Sequence, residues 1–297
     1  MLYELFIEPW TIGDWMWRGV LVSSLVAISC AILGTFLYLK RLSLLADAMA
    51  HVALPGIVAA YLLTGSQSTP TMLLGAILAG LVTSGLIRFV ERYGHARTDA
   101  AIGIVFTSLF ALGILLLSTF ARDAHLDLNC VLYGNVLGVA DHSLILLAVV
   151  TVAIVALTVL FFRPLQLATF DPALAAAFGL PVGLIHAGLM GTLSVTTVAS
   201  FEAVGAILVI AAIITPAATA HLIAKRLETM LLVAVAHGLL SAVLGMYLSI
   251  WLECSSAGAM VTTGALLYAV TLGATWARRR WRRAQRRQRL QASALPG

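Results

Sequence analysis

Asp47 and His51 are the residues of this sequence whose types and spacing best suit chemistry inside a membrane. They lie in LADAMAHVALPG at 45–56, within an otherwise apolar run. Residues four apart in an α-helix share one face, one turn apart, so we expect the carboxylate and the imidazole side by side. Oxygen and imidazole donors together suit divalent first-row metal ions. The pair is therefore a candidate metal site.

The Pro-Gly dipeptide that follows adds a backbone effect. Pro55 has no N–H, so the carbonyl of His51 loses its helical partner, and Gly56 loosens the same turn. Discontinuous helices near the middle of the membrane are a recurrent way to build transport sites. We expect a break here. The alternative is a structural pair, with Asp47 salt-bridged to the basic residues at 40–41 and the histidine hydrogen-bonded between helices.

The depth of the pair favours a functional role. If the helix enters the membrane near Leu42, a rise of about 1.5 Å per residue places His51 about 13 Å deep. That is near the middle of a hydrocarbon core about 30 Å thick. An ionised Asp47 at this depth costs several kcal/mol unless it faces a partner, a cation or water.

The composition shows that these residues belong to an integral membrane protein. Of 297 residues, 61% are hydrophobic and only 10% are charged, whereas a soluble domain has about 25% charged residues. We therefore predict an all-α integral membrane protein, a polytopic bundle of about eight or nine transmembrane helices. The three cysteines are far apart and form no CxxC pair, which argues against a disulfide framework or structural zinc. The acidic start predicts no cleaved signal peptide.

Nine apolar runs are long enough to cross a bilayer, which takes about 20 residues. They fall at about 18–39, 43–63, 70–90, 100–120, 143–162, 181–200, 203–223, 229–250 and 257–276. The sixth and seventh runs are separated by little more than Phe201 and Glu202. Either both cross the membrane, or one of them is irregular or re-entrant. With the N-terminus outside, 16 of the 18 basic residues fall on the cytoplasmic side. The positive-inside rule thus predicts an N-out, C-in topology.

We expect the chain to divide into a transmembrane domain at 1–276 and a basic cytoplasmic tail at 277–297. Eight arginines lie between 278 and 289. A basic run that abuts the last span on the cytoplasmic side is typical of contact with anionic membrane lipid. A nucleic-acid patch is the alternative, and we predict no nucleic-acid partner.

Two further side chains are weaker metal candidates. Glu202 lies at the outer end of the seventh run, where it would attract cations to an entrance or be a solvated loop carboxylate. His237 lies in the middle of the eighth run, as an alternative ligand or as one half of an interhelical hydrogen bond. The polar stretch RDAHLDLN at 122–129 would receive metal or a binding protein, or is a plain outer loop.

The stretch FDPALAAAFGLPV at 170–182 predicts a short helix between the fifth and sixth spans, outside the bilayer. Asp171 suits the N-cap, Pro172 the first helical position and Gly179 the end. A helix this short is unstable alone in water, so we expect another protein to pack on it; the alternative is a simple connector. The candidate docking residues are Asp171, Pro172, Ala173, Leu174, Ala175, Ala176, Ala177, Phe178 and Gly179.

Several of these stretches occur together and in order. They are LLADAMAHVALPG at 44–56, RTDAAIGIVFTSLFALGILL at 97–116, HLDLNCVLYGNVLGV at 125–139, FDPALAAAFGLPV at 170–182 and VGAILVIAAIITPAATAHLI at 204–223. Through them the chain resembles, over roughly residues 16–276, the membrane permeases of metal-type ABC importers. Such permeases carry manganese, zinc or iron(II) into bacteria.

The resemblance implies a set of partners and a location. It implies a dimer with a second copy or a sister permease, a cytoplasmic ABC ATPase docked on a coupling helix at 171–179, and an extracytoplasmic metal-binding protein. It also implies a multi-pass protein of the bacterial plasma (inner) membrane. In such permeases the residues that match Asp47 and His51 are implicated in the metal path.

The expected function is ATP-driven import of divalent transition-metal ions. Mn²⁺ is favoured over Zn²⁺ or Fe²⁺ because the stretch at 125–139 looks more like the manganese and iron branch, and because no thiolate lies near the pair. The chain has no GxxxxGK[ST] P-loop, so we expect a translocation subunit and not an enzyme, with the metal as cargo and no permanently bound cofactor. A stand-alone secondary transporter or channel stays open. So does an intramembrane metalloenzyme, although that would want more ligands, such as HExxH.

Overall fold

The computed structural model describes residues 14–65, 68–120 and 138–293, and in these ranges the chain forms eleven α-helices and no strand. Nine of the described helices are long and apolar enough to cross a membrane, which confirms the predicted all-α polytopic bundle. The helices are α1 Asp14–Leu39, α2 Ser43–Thr64, α3 Thr69–Tyr93, α4 Thr98–Phe120, α5 Asp141–Leu160, α6 Phe162–Phe170, α7 Pro172–Ala177, α8 Val182–Val204, α9 Ala206–Ile223, α10 Leu227–Trp251 and α11 Ser256–Ser293.

Helices are the natural outcome of apolar runs this long. In hydrocarbon every backbone N–H and C=O must be satisfied within the protein, and a helix satisfies them within one segment. Hydroxyls in the spans also bond to the backbone: Thr35 donates to the carbonyl of Ala31 at 2.8 Å. Ser29 of α1 and Thr151 of α5 are hydrogen-bonded to each other at 2.8 Å, which ties two spans together.

The helices form two groups joined by bridging elements. In one group, α1 packs against α9 and α10, and α11 packs on those same two helices. In the other group, α2 packs against α3 and α4. Helix α8 contacts α1, α2, α3 and α5, and so connects the groups. The candidate Asp47–His51 pair is carried by the α2–α3–α4 group.

A single residue separates the sixth and seventh spans. Gly205 has φ 80° and joins α8 directly to α9, a backbone conformation that glycine adopts without steric cost. Its N–H donates to the carbonyl of Phe201 at 3.0 Å, which closes the last turn of α8. The irregularity expected around Phe201 and Glu202 is thus confined to Gly205, and both flanking segments are long enough to span.

Helix α6 was not predicted. The sequence suggested a fifth span reaching about residue 162, followed by a connector. Instead α5 ends at Leu160, and nine residues, Phe162–Phe170, form a separate helix that leads into α7. The chain turns at Phe161, and Pro164 then lies in the first turn, where a missing N–H is tolerated.

Two electrostatic interactions between charged residues place helix ends on common sides. Arg18 and Asp141 form an ion pair at 2.8 Å, so α1 and α5 begin on the same side. Burial, and next the Arg88 charge, lower the pKa of Lys40, so the end of α1 lies on the side where α3 ends. Both interactions agree with helices that alternate in direction. Which side faces the cytoplasm stays a prediction from the basic residues.

Candidate metal site

Helix α2 places Asp47 and His51 on one face, as their spacing predicted. The helix begins at Ser43 after a tight turn in which Arg41 has φ 58°. One turn later, Nε2 of His51 lies 3.5 Å from Oδ1 of Asp47. Among the described residues the basic side chain in contact with Asp47 is His51, so the alternative salt bridge to the basic residues at 40–41 is absent from that part of the chain.

The pair is accessible from outside its helix. The side chain of Asp47 is 42% exposed and that of His51 is 29% exposed, whereas the adjacent Ala46, Ala48 and Met49 are buried. Eight residues of helix separate Ser43 from His51, which corresponds to about 12 Å of depth. A cation could therefore reach both side chains near the middle of the span.

Two aromatic rings of α4 flank the imidazole. The ring centroid of His51 lies 5.5 Å from that of Phe106 and 5.3 Å from that of Phe110. These rings fix one wall of the site and keep its dielectric low, which strengthens the attraction between a cation and the carboxylate. Sequence reasoning did not single them out. Their spacing of four residues places them on one face of α4, but this spacing does not indicate that the face packs against α2.

The expected break at Pro55 is wrong, because α2 continues as one helix to Thr64 with Pro55 inside it. The Pro-Gly dipeptide serves packing instead. A Cβ added at Gly113 of α4 would lie 2.8 Å from the Cβ of Pro55, so the proline ring fills the space beside that glycine. A Cβ added at Gly56 would lie 2.5 Å from the carbonyl oxygen of Gly75 in α3. Helix α2 is thus held against both neighbours by close contacts.

This packing predicts a stability difference between two glycine substitutions. Gly56→Ala forces the α2–α3 contact apart, and overpacking of this kind costs about 1–3 kcal/mol. Gly85→Ala in α3 is the matched control, because a Cβ there meets nothing within 4 Å. Both variants gain about 1 kcal/mol of helix propensity, so their difference isolates the clash. The melting temperature of the purified permease in detergent should be lower for Gly56→Ala than for Gly85→Ala. Equal melting temperatures would show that the α2–α3 contact at Gly56 tolerates a Cβ.

His237 does not join the Asp47–His51 pair. It is buried in α10 and lines a separate cavity of about 20 Å³ between α1, α9, α10 and α11. Within the described residues neither imidazole nitrogen has a hydrogen-bond partner, so the expected interhelical bond is not seen there. Ser23, Thr215 and Pro216 also line this cavity, and its volume is large enough for one water molecule.

The other candidates are Glu202 and the polar stretch at 122–129. Glu202 lies in the last turn of α8, and the stretch at 122–129 lies outside the described residues. Among the described residues no group of three or more His, Cys, Asp or Glu side chains is placed to hold a metal ion. Within the described residues the chain therefore brings together two candidate metal donors, Asp47 and His51.

The fold and this pair define a class: a polytopic helical membrane protein with a short helix between two of its spans and a neighbouring carboxylate and imidazole within one span. Comparison with known proteins makes the class specific. Residues 13–274 match the ABC 3 transport family, and the chain belongs to that family.

Curated relatives and a solved structure agree with the family. The chain is 43% identical to the manganese transport system membrane protein MntD of Bacillus subtilis, over 88% of this chain and 90% of that protein. It is 37% identical to the zinc transport system membrane protein TroD of Treponema pallidum, over 84% of this chain and 71% of that protein. The structure of PsaBC from Streptococcus pneumoniae in complex with Fab matches with a TM-score of 0.79 and 32% identity, over 91% of this chain and 95% of that one.

These findings identify the chain as the membrane permease subunit of a metal-type ABC importer, located in the bacterial plasma membrane. The predicted family and location are confirmed. A further structural match, to a putative metal-chelate type ABC transporter in an inward-facing conformation, is 18% identical with a TM-score of 0.64 and supports the fold.

Proposed function

We propose that this permease moves Mn²⁺ into the cytoplasm and that Asp47 and His51 bind the ion during transit. One observation carries the proposal: the two donors lie 3.5 Å apart on α2, partly exposed, in the middle of a span. A carboxylate kept at that depth is stabilised by a cation. The ion moves on because a transport site must bind strongly enough for entry and weakly enough for release.

Two protein donors leave the coordination sphere open. First-row divalent ions take about four to six ligands, depending on the metal and its geometry. We propose that water and a second permease subunit, either another copy or a sister chain, supply the rest. The exposure of Asp47 on the isolated chain agrees with a site completed at a subunit interface.

The donor set and the relatives favour manganese over zinc. A hard carboxylate with one imidazole suits Mn²⁺, and the described cysteines, Cys30 and Cys254, lie on α1 and beyond the end of α10, outside the α2–α3–α4 group. The curated relative at 43% identity is a manganese protein and the one at 37% is a zinc protein. Zn²⁺ and Fe²⁺ accept the same donors, so cellular selectivity then rests partly on the protein that delivers the ion.

Helix α7 has the features of a docking element for the ATPase. Asp171 caps its start by accepting a hydrogen bond from the N–H of Leu174 at 2.9 Å. Its end is closed by Gly179, whose φ is 77° and whose N–H donates to Ala176 at 2.9 Å. A six-residue helix that is capped at both ends is a rigid docking element. We propose that it transmits ATP-driven movement to the spans through α6 and α8, which it contacts.

The exposed surface of this element is apolar. Phe170 is 60% exposed, Leu174 44% and Phe178 71%. Apolar side chains gathered outside the membrane mark a protein interaction site. We propose that a cytoplasmic ABC ATPase covers them, that hydrolysis takes place in that partner alone, and that an extracytoplasmic protein delivers the metal from the opposite side in an N-out, C-in arrangement.

Cellular metal content tests the proposed cargo. The permease is expressed with its ATPase and binding protein in a host that lacks manganese and zinc importers, and manganese, zinc and iron are measured by elemental mass spectrometry. We expect manganese to rise with the active ATPase and to stay at baseline with a hydrolysis-deficient one. A rise in zinc alone would overturn the choice of metal. A rise without the ATPase would favour a stand-alone secondary transporter.

A further inference from the structure

Helix α11 extends well beyond the part of the chain that the family shares. It runs without interruption from Ser256 to Ser293, 38 residues, whereas the family match ends at residue 274. At about 1.5 Å per residue this helix is about 57 Å long, nearly twice the thickness of a hydrocarbon core. The tail is therefore a rigid continuation of a membrane span, with a role that the family relationship does not assign.

The apolar part of α11 determines where the tail leaves the membrane. Residues 256–277 contain no charged side chain, and 22 helical residues correspond to about 33 Å, close to the core thickness of about 30 Å. Arg278 is the first charged residue after them. The helix packs on α9 and α10, so its position along the membrane normal is fixed by the permease core. Arg278 and the residues just after it consequently lie at the membrane surface.

Positive charge is concentrated in the first turn and a half of α11 after the apolar segment 256–277. Arg278, Arg279, Arg280 and Arg282 are all exposed, and we call these four the arginine collar. They fall within about 6 Å along the axis, and the headgroup layer of one leaflet is about 5–8 Å thick. The guanidinium groups thus lie at the level of the lipid phosphates.

Two tryptophans mark the same level. Trp276 is 61% exposed and Trp281 is 68% exposed, as expected for side chains whose amphipathic rings sit at headgroup depth. The guanidinium of Arg280 lies 5.2 Å from the ring centroid of Trp276. This contact leaves the donors of the guanidinium available to an anion above the ring.

The described residues offer the collar no counter-charge. No acidic residue follows Glu253 in the sequence, and within the described part of the chain the collar arginines form no ion pair. Like charges three or four residues apart destabilise a helix by about 0.2–0.5 kcal/mol per pair. Arg278 and Arg282 form such a pair, as do Arg279 and Arg282. An anionic partner outside the chain offsets this repulsion.

We propose that the arginine collar is a binding site for anionic phospholipid headgroups of the cytoplasmic leaflet. Guanidinium groups bind phosphate through paired hydrogen bonds, and the collar presents four of them at phosphate level. Nucleic acid carries the same phosphate chemistry, but the collar lies at the membrane surface beside two interfacial tryptophans, which favours lipid. The distal arginines, Arg286, Arg287 and Arg289, begin about 12 Å past the apolar segment, beyond the headgroup layer.

The difference between collar and distal arginines gives the test. The full chain is purified in neutral detergent after nuclease treatment, and phosphatidylglycerol binding is titrated by native mass spectrometry, with phosphatidylcholine as the neutral reference. The collar variant is Arg278→Gln/Arg279→Gln/Arg282→Gln. The matched control is Arg286→Gln/Arg287→Gln/Arg289→Gln, which removes the same charge. Glutamine is a good helix former, and unchanged melting of both variants checks the fold.

We expect the collar variant to lose phosphatidylglycerol affinity by about tenfold to a hundredfold, since each surface arginine contributes roughly a factor of five. The control should lose far less. Equal loss in both variants would overturn the proposal, because charge alone would then explain binding. Unchanged phosphatidylglycerol binding in the collar variant would also overturn the proposal. A third contrary result concerns samples prepared without nuclease: the collar variant would lose bound RNA there while its lipid binding stayed unchanged.

Discussion

Asp47→Asn is expected to reduce manganese uptake by at least about tenfold while the permease still folds and assembles. The substitution keeps the shape of the side chain but removes the charge that stabilises a cation at mid-membrane depth. Loss of a group that only supports a metal ligand already costs about tenfold to a hundredfold in affinity, and a direct ligand contributes no less. Uptake of radioactive manganese into proteoliposomes that contain the full complex measures the effect.

The control for this prediction removes the same charge elsewhere. Glu228 is exposed in the first turn of α10, outside the α2–α3–α4 group, so Glu228→Gln should transport as the parent chain does. His51→Gln should resemble Asp47→Asn, because both donors serve one ion. Full transport by Asp47→Asn in a correctly assembled complex would exclude Asp47 from the metal path.

Phe178→Asp together with Leu174→Asp is expected to abolish ATP-driven transport by preventing the ATPase from docking. These side chains are exposed apolar groups on a capped helix. A few residues near the centre of an interface carry most of its binding energy, about 2 kcal/mol or more each. A charge buried against an apolar partner without a counter-charge adds a further penalty. Co-purification of the ATPase with tagged permease measures docking directly.

Phe178→Leu provides the matched control, since it keeps an apolar side chain at the same exposed position. It should retain the ATPase and most of the transport. The double aspartate variant should still insert and bind the extracytoplasmic protein, because α7 lies outside the spans. If it retained the ATPase in normal amount, α7 would be a connector and the docking surface would lie elsewhere.

Local signals predicted the spans and the short helix well. A helix satisfies its own backbone, so nine long apolar runs suffice to indicate nine spans. The N-cap of α7 also depends on neighbours in sequence alone: Asp171 bonds the N–H three residues on, and Pro172 fits the first turn. Asp47 and His51 were paired correctly because residues four apart on a helix must share a face.

Signals that depend on distant residues were missed. The role of Pro55 and Gly56 is set by Gly113 and Gly75, which lie on other helices, so the dipeptide alone suggested a break that does not exist. The rings of Phe106 and Phe110 reach His51 only after α2 packs on α4. His237 was a plausible ligand from its depth, yet tertiary packing places it in a different cavity.

Pulsed electron paramagnetic resonance of Mn²⁺ bound to the purified complex tests whether His51 of α2 binds the metal ion. An imidazole ligand gives a characteristic nitrogen modulation of the Mn²⁺ signal, and the ion can be held in the complex while ATP hydrolysis is blocked. We expect this modulation in the parent chain and in His237→Gln, and its loss in His51→Gln. Modulation that persists in His51→Gln, or that disappears in His237→Gln, would contradict the assignment of the metal site to α2.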